Sequence, residues 1–152
     1  MDSDEEPTIT NMAEASWATE QRQNVIEYLA AQGVEHSGVS LEPRWFLLPY
    51  VAVWAVRSKA NPERIGWWAI SGDLPTDYLS CAGEKDDADI LFSFSRVWKA
   101  QAAKMAAGVQ SPGYRIGPAD QAMGLAPMLL TRAELLENFA NEMKSGGAGD
   151  AG

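Results

Sequence analysis

Residues Val51–Leu79 read VAVWAVRSKANPERIGWWAISGDLPTDYL, and the fold turns on this stretch. Two apolar runs, Tyr50–Arg57 and Ile65–Ser71, flank a polar segment holding the turn pair Asn61-Pro62. In an extended chain Val51, Val53, Ala55 and Arg57 share one face, and Tyr50, Ala52, Trp54 and Val56 the other. Adjacent Trp67 and Trp68 then point to opposite faces, so both faces carry apolar bulk. That pattern predicts an antiparallel hairpin in a sheet covered by helices. Pro49 has no backbone donor, so regular pairing is expected after it, with Arg44–Leu48 extending the first strand beyond the break.

Gly72 breaks the second run. Asp73-Leu74-Pro75-Thr76-Asp77-Tyr78 then sets two carboxylates, a hydroxyl and a phenol within six residues. Polar clusters at strand ends commonly carry function. Acid–base chemistry needs two groups whose surroundings separate their pKa values, which makes Asp73 and Asp77, with Tyr78, the catalytic candidates. Structure alone also accounts for them. Asp73 closes an Asx turn, Pro75 sets φ, and Thr76 or Asp77 caps a short helix.

Outward from this centre the chain reads as helices. Asn11 and Glu14 form a capping box for a helix over about 12–32, burying Trp17, Val25, Ile26 and Leu29 and stopping at Gly33. Val34–Pro43 is expected to be a loop, with the lone His36 solvated. After a further loop at Leu79–Lys85, Asp86, Asp87 and Asp89 crowd a helix N-terminus, where carboxylates oppose the dipole. Ile90, Leu91, Phe94, Val97, Trp98 and Met105 recur at helical spacing over about 87–107. A Gly/Pro-rich loop is expected over 109–128, with a short helix at 118–123. The box Thr131-Arg132-Ala133-Glu134, with Leu130 and Leu135 as its staple, opens a last helix over 132–144 that buries Leu135, Leu136, Phe139 and Met143. The expected class is therefore α+β: a small antiparallel sheet packed by three main helices. Residues 1–10 form an acidic disordered tail, 11–144 a single domain, and 145–152 a flexible Gly/Ala tail.

Composition excludes several functions. The chain has 152 residues, net charge −9, one histidine and one cysteine. Asp2, Asp4, Glu5, Glu6 and Asp150 carry five of the negative charges, so the folded body is mildly acidic. Nucleic-acid binding needs a basic footprint, which is missing. No apolar run reaches the ~20 residues that span a bilayer, and the N-terminus has no signal-peptide pattern. Cys81 alone forms no internal disulfide and suits a reducing cytoplasm. One His and one Cys give no zinc spacing, and no phosphate-loop, dinucleotide or nucleophile-elbow motif occurs, so neither metal nor cofactor is expected.

The remaining signal is aromatic. Six tryptophans are many for this length, and most belong to the core. Trp45, beside Arg44 at a loop edge, and the pair Trp67-Trp68 are the candidate binding residues, because exposed Trp and Arg form hot spots. Three functions follow: a non-catalytic module for a protein partner, a toxin-neutralising immunity protein being one version; a small enzyme or ligand-binding domain at Asp73, Asp77 and Tyr78; or a homodimer through Trp45 and the region around residue 110.

GWWAISGDLPTDYL at Gly66–Leu79 resembles the core of a small bacterial family of unknown function. WATEQRQNVIEYLAAQGVEH at Trp17–His36 and PYVAVWAV at Pro49–Val56 are similar to it too. The resemblance implies a cytoplasmic single-domain protein and no particular activity.

Overall fold

The computed structural model describes residues 9–107 and 122–151. Among them lie three helices and a five-stranded antiparallel sheet, an α+β fold. The chain divides into two compact units, Met1–Glu84 and Lys85–Gly152.

The first unit holds helix α1 (Met12–Ala31) and strands β1 (His36–Val39), β2 (Trp45–Leu47), β3 (Val51–Ser58), β4 (Ile65–Gly72) and β5 (Asp77–Ser80). Sheet order is β1-β3-β4-β5, and β2 pairs with the other half of the same β3 edge. The central hairpin forms as the alternation requires: Trp54 stands opposite Ala69, and Val56 opposite Trp67. One face carries Ala52, Trp54, Val56 and Ala69, which pack with Ala18, Val25, Leu29, Val39 and Phe46. Val51, Val53, Trp68 and Ile70 alternate onto the opposite face and are also buried. Helix α1 crosses the first face. Its Trp17 ring lies 6.0 Å from Phe46 of β2, and its Tyr28 ring 6.1 Å from Tyr78 of β5.

The start of α1 is capped as expected. Asn11 accepts from the Glu14 amide at 2.8 Å, while the Glu14 carboxylate turns back to the Thr10 amide and hydroxyl. Gly33, at φ 73, follows the helix end.

Three expectations fail in this unit, each for a tertiary reason. His36 is not in a loop but opens β1, whose register shifts at a bulge between His36 and Gly38. Gly38 sits at φ 142, which breaks the alternation that would have marked a strand. Arg44–Leu48 does not extend β3. Residues 45–47 fold back on it antiparallel, with Trp45 opposite Val53 and Leu47 opposite Val51, after a turn at a cis Leu48–Pro49 peptide. Asp77–Ser80 is neither helix cap nor loop. It is β5, and its backbone pairs with β4 from Ile70 to Trp67. These strands have three or four residues, too few for a periodic signal; pairing with a neighbour defines them.

The second unit holds α2 (Asp87–Ala106) and α3 (Ala122–Ala151). Asp86 caps α2 by accepting from the Asp89 amide at 2.9 Å. Lys144 reaches Asp86 at 2.9 Å and Asp89 at 3.4 Å, and Lys99 meets Glu137 at 2.8 Å, so the two helices run antiparallel. The Asp89 amide and the Lys144 ammonium hold the Asp86 carboxyl below its usual range. Large side chains line α2 at heptad spacing: Leu91, Phe94, Trp98 and Met105 are buried. On α3 the buried stripe is Ala126, Leu129, Ala133, Leu136 and Ala140. Its alternating alanines leave room for a bulky neighbour to approach closely.

The expected cap at Thr131 is not a cap. Helix α3 already contains Pro127, and the Thr131 hydroxyl donates to the Pro127 carbonyl one turn back, at 2.9 Å. Leu130 is exposed rather than a staple, and Leu135, Phe139 and Met143 are only half-buried. The helix also continues beyond Lys144. Residues 122–128, expected in a loop, are helical; the rest of that loop, and most of the short helix at 118–123, lie outside the described residues. No described helix is long and apolar enough to cross a membrane.

Candidate functional site

Asp73 and Asp77 have opposite environments. Asp73 is exposed, and its amide donates to the Tyr50 carbonyl at 3.0 Å. Asp77 is 1 % exposed. Its Oδ1 accepts from the Tyr78 amide at 2.8 Å and from the Tyr28 hydroxyl at 3.4 Å. Tyr78 is half-buried and meets Tyr28 edge to face. The strand end therefore builds a Tyr28–Asp77–Tyr78 cluster between α1 and β5. A carboxylate taken out of water needs such donors.

Tyr28 was not legible as part of this site. It lies beside the apolar stripe of α1, three residues after Val25, and that position was the available signal. Burial, the Asp77 charge, Tyr78 and the hydrogen bond to Asp77, in that order, push the Tyr28 hydroxyl above its ordinary value. A folded-state pKa above the unfolded one gives stability that is whole below about pH 10 and is lost as pH rises beyond it. Tyr28 is thus expected to ionise later than an ordinary tyrosine. Phenolate absorbance during an alkaline titration checks this. Tyr28→Phe should remove the late phase; a titration unchanged by that substitution would refute the assignment.

The candidate binding residues separate in the same way. Trp45 is buried in β2, not exposed at a loop edge. The half-buried Arg44 places its guanidinium 5.1 Å from the centre of the Trp68 ring. Trp68 is itself buried, and its indole N–H donates to Glu84 Oε1 at 2.9 Å. Trp67 is half-buried against the α1-facing core. Arg44 and Trp45 therefore do not form the exposed pair expected of a hot spot. They brace the strands below the surface.

The exposed apolar group lies next to them in sequence. Leu47, Leu48, Pro49 and Tyr50 are consecutive and all exposed, Tyr50 at 46 %. They form the tip of the β2–β3 hairpin. Its backbone is tied at both ends: the Tyr50 amide donates to the Leu47 carbonyl at 2.7 Å, and the Tyr50 carbonyl accepts from Asp73. Gly72 abuts the same point. A Cβ there would fall 2.8 Å from Val51 Cα and closer still to the Tyr50 carbonyl oxygen. The Gly72-Asp73 corner thus supports the tip. An apolar run spanning a proline just before a strand was the sequence signal for it.

Among the described residues, no group of three or more His, Cys, Asp or Glu side chains is placed to hold a metal ion. His36 Nδ1 accepts from the Gly38 amide at 3.0 Å, within the β1 bulge. A family model described as a domain of unknown function (DUF4826) matches residues 11–145. Neither a curated protein nor a solved structure matches the chain.

Proposed function

Since the chain belongs to the DUF4826 family, which brings no activity with it, we propose a function from the surface itself: a non-catalytic protein-interaction module that binds through the Leu47–Tyr50 tip. One observation carries this. Four consecutive apolar residues stand in solvent on a backbone already fixed by hydrogen bonds from Tyr50 and Asp73. Contiguous exposed apolar groups mark interaction sites. A rigid tip also loses little conformational entropy on binding, so its contact energy is retained as affinity. The neighbouring Trp45, Arg44 and Trp68 act in support of that surface.

The test compares wild type with a Leu48→Ser/Tyr50→Ser double variant as baits in lysate of the source organism. Both side chains are exposed, so the variant should melt within a few degrees of wild type. A stoichiometric partner held by wild type and lost by the variant is the expected result. An identical set of captured proteins would overturn the proposal.

A second function, a small enzyme or ligand-binding domain at Asp77 and Tyr78, is favoured by the buried Asp77 carboxylate beside the Tyr28 hydroxyl. It is the function to pursue if the tip captures nothing, by comparing ligand binding of wild type with Asp77→Asn.

A further inference from the structure

We draw no further inference here: the strongest candidate, the exposed apolar Leu47–Tyr50 tip of the β2–β3 hairpin, belongs to the surface already described, and nothing in the structure shows what covers it.

Discussion

Trp54→Ala is expected to cost about 3–5 kcal/mol of folding stability. Trp54 is fully buried in the middle of β3, within the core that α1 closes against the sheet. Removing the indole opens a cavity among Val25, Leu29, Ala52 and Ala69, which belong to the same cluster. The surrounding strands are paired on both sides and have little freedom to collapse into it. There is also a polar component. The indole N–H donates to Ser71 Oγ at 3.2 Å in a buried position. Trp54→Phe keeps most of the volume but removes that donor, so it should cost less, about 1–2 kcal/mol. Urea unfolding followed by circular dichroism measures both, with an unchanged slope as the sign that the unfolded state is unaltered. A loss below about 1 kcal/mol for the alanine variant would contradict a tightly packed site.

Gly72→Ala should have an effect of similar size, about 2–4 kcal/mol, by a different mechanism. Gly72 sits at φ 134, where side chains are strained, and its missing Cβ is replaced in space by the Tyr50 and Val51 backbone. Both atoms belong to a paired strand and its turn, so neither yields easily. Gly33 is the control. It has φ 73, yet nothing lies within 4 Å of a Cβ placed there. Gly33→Ala should therefore show only the left-handed penalty of about 1–2 kcal/mol. Equal losses at the two glycines would mean that the close approach at Gly72 contributes nothing. Because the Gly72-Asp73 corner holds the Tyr50 carbonyl, Gly72→Ala should also loosen the apolar tip, seen as faster amide exchange at Tyr50 and Asp73.

Asp73 and Asp77 divide the work of the polar stretch after β4. Asp73 supports the tip through its backbone. Asp77 is buried and held by Tyr28 and its own neighbour. The two carboxylates lie only four residues apart in sequence. A four-residue strand instead sets one in solvent and the other in the interior.

Elements with strong local signals are legible in the chain itself. The β3–β4 hairpin followed from its alternation and its Asn61-Pro62 turn, and the start of α1 from the Asn11–Glu14 box. The apolar face of α2 followed from repetition over twenty residues, most of it buried where the spacing put it. In each case the information lies within a few turns or one strand pair. The remaining elements depend on long-range pairing and packing. Strands β1, β2 and β5 exist because an edge of β3 or β4 offers partners, which a three- or four-residue segment does not encode. Thr131 reads as a cap from its neighbours but lies inside a helix that began nine residues earlier. Exposure was the least legible property. Trp45 and Tyr50 lie five residues apart, one buried and one in solvent, because pairing to β3 sets which side of the turn each occupies. Local sequence specifies backbone preference, whereas burial depends on distant chain segments packing onto it, and the proposed binding surface is a product of burial.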